Sequence, residues 1–201
     1  MQTDATVLER YAAASGAGVA MRAAAVVLMV VLTMAAAQVT LHLQGTPVPV
    51  TLQPMVVLIG GAVLGSRLGL LSQLLYLAAG LAGLAVFAAS PVLPQGPARL
   101  LGPTGGYLMA YPLAAFTTGW LAERGRDRNY LPSVFALAAG LAVVFAGGVL
   151  WLAFAAAPRP LGISRALAAG FLPFVLADVI KILVAATVLP AFWRFVGRQR
   201  I

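Results

Sequence analysis

Six apolar segments, separated by Pro, Gly and charge, run along this chain at about residues 22–43, 52–65, 68–89, 104–122, 131–156 and 166–193. A bilayer core takes roughly 20 apolar residues per helix, so this pattern predicts a polytopic bundle of six transmembrane helices. A soluble globule with the same segments inside is excluded by composition. Of 201 residues, 62% are hydrophobic and 9% charged, which leaves too little polar surface to cover such a core. The expected fold class is therefore all-α. The second segment, Leu52 to Gly65, is short for a span and is expected to be tilted, partly unwound, or continuous with flanking residues in a thin part of the bundle.

Charge sets the orientation. With a cytoplasmic N-terminus, the inside carries Arg10, Arg22, Arg67, Arg124, Arg126, Arg128, Arg194, Arg198 and Arg200, and the outside only Arg99, Arg159 and Arg165. Positive residues collect on the cytoplasmic side, so both termini are predicted there. The expected organisation is a cytoplasmic tail at 1–21, a six-helix substrate-binding domain at 22–195 and a second cytoplasmic tail at 196–201 in the cell inner membrane. The tail carries Asp4, Glu9 and Arg10 ahead of a weakly hydrophobic stretch and reads as a surface segment rather than a cleaved signal peptide. A formal charge of +8 distributed at helix ends signals topology, not nucleic acid.

Several chemistries drop out. The chain has no cysteine and one histidine, His42, so neither thiol catalysis nor a metal cluster is expected. Its single lysine, Lys181, lies in an apolar segment, which rules out a phosphate loop and hence an ATPase in this chain. Glu123 and Asp127, in a basic loop, read as a solvated topology signal. Neither a cofactor nor a catalytic residue is expected.

The outer loops, QGTPVPVTLQ (44–53), SPVLPQGPARLLGP (90–103) and APRPLGISR (157–165), are longer and richer in Pro and Gly than the inner ones. Loops of that kind carry binding sites or lids, which puts the working face outside. Small residues recur at helical spacing at Gly61, Gly65 and Gly69, at Ala20 and Ala24, and at Ala136 and Gly140. Such faces let helices approach closely in lipid, inside the bundle or against another subunit.

The strongest chemical feature is Asp178 with Lys181 in FLPFVLADVIKILVAATVLP. Ionisable groups at membrane depth face a cavity or the bundle interior, and a spacing of three puts both on one face. Lys181 suits a ligand carboxylate and Asp178 suits N–H donors. If Pro173 opens the helix, Asp178 lies about 1.5 turns from the outer surface. The second feature is GPTGGYL (102–108). There Thr104 is placed to cap a helix, Gly105 and Gly106 permit close approach, and Tyr107 offers an aromatic face.

VPVTLQPM (48–55), GPTGGYL and the late FLP…DxxK, in this order, resemble the BioY family of biotin-binding capture subunits of energy-coupling factor transporters. The resemblance runs from about residue 25 to residue 190. It implies a six-helix subunit that binds biotin near its outer face beneath the loop after the first helix. It places ligand contacts on Asp178, Lys181, Thr104, Gly105, Gly106 and Tyr107, with Gln53 as a further candidate. It also implies a transmembrane coupling subunit and ABC-type ATPases as partners, or self-association. Which end of biotin meets Asp178 and Lys181 stays open. A capture subunit for another vitamin and a membrane-embedded lipid-modifying enzyme are the competing readings.

Overall fold

A computed structural model describes residues 6–9, 18–90 and 94–198. Each apolar segment carries a helix: α1 (Gly18–Gln38), α2 (Gln53–Leu64), α3 (Ser66–Leu81), α5 (Gly105–Glu123), α6 (Tyr130–Phe154) and α8 (Leu172–Arg198). Two short helices, α4 (Pro97–Leu101) and α7 (Ile163–Gly170), lie in the outer connections. Two strands, β1 (Thr40–Leu41) and β2 (Val50–Thr51), make a departure from an all-helical chain. They pair antiparallel, with Thr40 opposite Thr51 and Leu41 opposite Val50.

α1, α6 and α8 are long and apolar enough on their own to cross a membrane. α2 has 12 residues, which span about 18 Å of a core about 30 Å thick. α3 has 16 residues and buries Ser72 and Gln73, which lower its hydropathy. Large apolar side chains stand on the outer faces of the bundle, with Val27 60%, Phe135 74% and Leu176 74% exposed. Exposed apolar surface on this scale is natural against hydrocarbon rather than water.

α5 is the central helix, in contact with α2, α3, α4 and α6. Its buried face is built from small residues, Ala110, Ala114, Ala115, Thr118, Gly119 and Ala122. A side chain on Gly61 or Gly69 would run into Ala115 or the opposing glycine, and one on Gly140 into Thr118. Gly61, Gly69 and Gly140 thus serve internal packing, and Ala136 is likewise buried. Ala20 and Ala24 are exposed instead.

The link between α2 and α3 is one residue, Gly65, whose φ of 87° suits glycine. Glu123 caps α3 there, accepting from the Ser66 amide at 2.7 Å and its hydroxyl at 2.8 Å. Asp127 is fully buried and accepts a hydrogen bond from Trp193 Nε1 at 2.6 Å. Neither carboxylate is the solvated signal expected from the loop's composition, because each satisfies a donor that helix packing leaves in the interior.

The last apolar segment is broken: α7 stops at Gly170 and α8 starts at Leu172. Pro173 has no amide hydrogen for a continuous helix and restricts the residue before it, whereas the first turn of a new helix accommodates it. Much of the expected tail at 1–21 lies outside the described residues. Within it, Thr6 and Glu9 exchange side-chain and backbone hydrogen bonds in a capping box, and Leu8 packs against Val26, Met29 and Leu64. α1 already begins at Gly18, and α8 runs to Arg198, past the expected start of the C-terminal tail. Residues 199–201 lie outside the described residues.

Candidate functional site

Because α2 is short, the β1–β2 hairpin occupies the depth that a longer helix would fill. Beneath it lies a cavity of about 240 Å³, walled by the hairpin, the start of α2, the segment after α3, and α4, α5, α6 and α8. Non-helical backbone is tolerated at such depth where protein covers it or it lines a cavity. The size suits a small organic solute.

α8 supplies the ion pair. Lys181 Nζ lies 2.8 Å from Asp178 Oδ1 and donates to the Thr51 carbonyl at 2.7 Å. One ammonium therefore neutralises a carboxylate and fastens strand β2 to α8. Asp178 is buried, and its pairing offsets what would otherwise be an isolated charge in a low-dielectric interior.

Gln53 opens α2 with Pro54 in its first turn, a position that proline tolerates. Its side-chain amide donates to the Tyr76 hydroxyl at 2.6 Å, and Tyr76 donates onward to the Val86 carbonyl at 3.2 Å. The chain binds the wall behind Gln53 to the segment after α3. Phe87 stands edge-on to Tyr76 with centroids 5.6 Å apart and reaches the cavity itself.

Thr104 sits at the N-cap position of α5 but makes no capping bond. Its buried hydroxyl has no hydrogen-bond partner among the described residues, and it lines the cavity. Tyr107 lines it too, with its hydroxyl committed to the Gly170 carbonyl at 2.6 Å. That bond holds the α7–α8 break against α5.

Five of the seven residues proposed from sequence thus meet around one cavity: Gln53, Thr104, Tyr107, Asp178 and Lys181. The other two do not line it. Gly105 lies against the Leu100 backbone at the end of α4, and Gly106 against Trp151 and Gly147 of α6. The close approach that these glycines permit is between helices. Trp151 Nε1 also donates to the Gly102 carbonyl at 2.9 Å, which pins the string ahead of α5.

Sequence reasoning missed Arg99, assigned only to topology. It lies in α4, is 4% exposed and lines the cavity; its Nε has no hydrogen-bond partner among the described residues. Burial lowers its pKa from the ordinary guanidinium value, with partial compensation from nearby Tyr76. A guanidinium nonetheless stays charged at neutral pH. Its signal was position, as the arginine of the loop that leads into GPTGGYL. Tyr111 also lines the cavity, one turn beyond Tyr107 on α5, a spacing that could have revealed it. Phe145 and Phe174 complete an aromatic wall.

The pocket therefore holds Lys181 and Asp178, which cancel, and Arg99, which leaves a surplus positive charge. The model of the BioY family matches residues 6–198. This chain belongs to the BioY family.

A probable biotin transporter BioY from Pyrococcus horikoshii is 42% identical over 156 residues, covering 78% of this chain and 86% of that protein. The biotin transporter BioY of Thermotoga maritima is 41% identical over 143 residues, covering 71% and 79%. These BioY relatives are transport proteins, not enzymes. The fold is similar to the crystal structure of the S-component for biotin from an ECF-type ABC transporter, with a TM-score of 0.76 at 24% identity. That match covers 86% of this chain and 90% of the other.

Proposed function

We propose that this chain captures biotin for uptake across the cytoplasmic membrane, as the substrate-binding subunit of an ECF-type transporter. The observation that carries the reading is the charge arrangement of the cavity. A neutral Asp178–Lys181 pair and an Arg99 without an ion-pair partner among the described residues suit a ligand with one carboxylate and one neutral group that both donates and accepts hydrogen bonds. Biotin has both, as a valerate acid and a ureido ring. In this reading the carboxylate meets Arg99, and the ureido ring meets Asp178, the Thr104 hydroxyl and the Gln53 side of the wall. The aromatic residues Phe87, Tyr107, Tyr111 and Phe145 surround the apolar middle. Gly105 and Gly106 act one step away, by allowing α5 to seat Thr104 and Tyr107.

The domain reading is a six-span substrate-binding unit at 22–195, with α2, α3 and α5 completing the set begun by α1, α6 and α8 and with both termini cytoplasmic. Shared packing supports α2 and α5 as spans, because α2 lies against the longer α1, α6 and α8, and α5 lies along the 25-residue α6. Energy would come from a transmembrane coupling subunit and ABC-type ATPases. The exposed Ala20 and Ala24 face of α1 offers a close-packing surface for that subunit or for a second copy. The lid would be the β1–β2 hairpin, held shut by the Lys181–Thr51 bond.

Isothermal titration in detergent with biotin and with biotinol, which lacks the carboxylate, tests the assignment. Loss of a charge-assisted hydrogen bond costs about 1.5–3 kcal/mol, so Arg99→Gln should weaken biotin at least about tenfold while leaving biotinol unchanged. Equal losses for both ligands would move the carboxylate away from Arg99. An absence of heat with folded protein would refute biotin capture.

A further inference from the structure

A second concavity, of about 520 Å³, lies away from the biotin cavity, where the loop before α6 meets the last turns of α8. Arg128, Asn129, Tyr130, Thr187, Trp193 and Arg194 line it. One wall is held in place by buried chemistry. Asp127, with no exposed surface, fixes the Trp193 indole through Nε1, and the Arg128 guanidinium lies 4.9 Å from the centre of that ring. Among the described residues that line the groove, the charged ones are Arg128 and Arg194; Asp127 does not line it, though its carboxylate interacts with Arg128 from behind.

The groove runs into an apolar seam. Leu183 and Val184, 42% and 55% exposed, lie about one turn along α8 from Thr187. Leu131 and Phe135, 66% and 74% exposed, follow Tyr130 along α6. Tyr130 donates to the Leu183 carbonyl at 3.5 Å and so links the two helices at the junction. Tyr and Trp rings of this kind occupy the headgroup level of a bilayer.

Guanidiniums at a rim above an apolar seam match a ligand with an anionic head and hydrocarbon tails. A free anion would use the arginines and ignore the seam, and so would an acidic protein segment. Basic pockets between helices at the membrane surface bind anionic headgroups, and guanidinium meets phosphate with two parallel hydrogen bonds. We propose that this groove holds the phosphate of an anionic phospholipid between Arg128 and Arg194, with its acyl chains along the α6–α8 seam. The site requires that the chain lie in a bilayer and is independent of which solute the other cavity takes.

The test uses the purified full chain in detergent micelles, with thermal unfolding and native mass spectrometry as readouts and no biotin present. Added phosphatidylglycerol should raise the unfolding midpoint and stay bound as a discrete adduct, whereas phosphatidylcholine and inorganic phosphate should do neither. At about fivefold per arginine, R194Q should cut adduct retention about fivefold and R128Q/R194Q about twenty-five-fold. R194Q changes an exposed side chain, so it reports even where the double variant fails to fold. Arg124, stacked on Trp120 at 3.5 Å, serves as control, and R124Q should keep the adduct. Equal stabilisation by phosphatidylcholine, an effect of inorganic phosphate alone, or a matching loss in R124Q would each overturn the proposal.

Discussion

Lys181→Met keeps the length of the side chain and removes its charge, and it should damage stability and binding by separable amounts. In the native protein Nζ makes two charge-assisted hydrogen bonds, one to Asp178 and one to the Thr51 carbonyl. Taking away one partner of a buried ion pair leaves a stranded charge, at a cost of about 3–5 kcal/mol. For a chain of this size that corresponds to a fall on the order of 10 °C in the unfolding midpoint. The second lost bond frees the hairpin from α8, and its about 1.5–3 kcal/mol translates into biotin affinity about ten- to a hundredfold weaker. Lys181→Met with Asp178→Leu removes the stranded carboxylate as well. The double variant should therefore regain most of the midpoint, while affinity stays low or falls further because Asp178, the acceptor proposed for the ureido ring, is gone. Scanning fluorimetry and isothermal titration on the same detergent preparations separate the two effects. A single variant with wild-type midpoint and affinity would refute both roles assigned to Lys181. A double variant less stable than the single would show that the pair is worth more than its mutual neutralisation.

Gly106→Leu should give little monodisperse protein by size-exclusion chromatography, because its side chain would collide with Trp151 and Gly147; a well-folded variant that merely fails to bind would return Gly106 to the cavity. Burial pushes the Asp127 carboxyl up to about 6, against weaker lowering by its Trp193 hydrogen bond and Arg128. A raised carboxyl pKa contributes stability that is fully present below about 4 and lost as pH rises through about 6, a change of about 3 kcal/mol. Asp127→Asn keeps an acceptor for Trp193, so its midpoint should exceed that of the wild type at pH 8, with the gap closing towards pH 5; a pH-independent difference would contradict the assignment. A reporter fused after Ile201 should be active in the cytoplasm, and an external signal would invert the proposed topology.

What sequence conveyed was whatever the solvent dictates locally. Lipid demands long apolar runs, and these located the six main helices. A charged pair inside such a run has to find a cavity, so Asp178 and Lys181 were legible without a structure. The break between α7 and α8 follows from Pro173, whose place at a helix start is only a condition in the sequence because the apolar segment runs through it. The hairpin was not legible, because strands of two residues, Thr40–Leu41 and Val50–Thr51, are too short to show alternation. Arg99 was hidden by the rule that found the topology, which counts every loop arginine alike; its burial depends on α4 folding back over α5. Gly105 and Gly106 signalled a close approach correctly, but glycine does not specify whether a ligand or a helix approaches. Asp127 and Glu123 looked solvated because their neighbours in sequence are charged, while their neighbours in space are Trp193 and the start of α3.

The 12-residue length of α2 also bears on selectivity. Because hairpin residues wall the cavity, a solute that meets Asp178 is bordered largely by protein rather than water. In that setting the number of charges on a molecule matters more than its shape. In the proposed arrangement a monoacid meets Arg99, whereas a second acid group would find Lys181 already paired and Asp178 beside it. Dicarboxylates that fit by volume should therefore be turned away at the entrance, and so should amines.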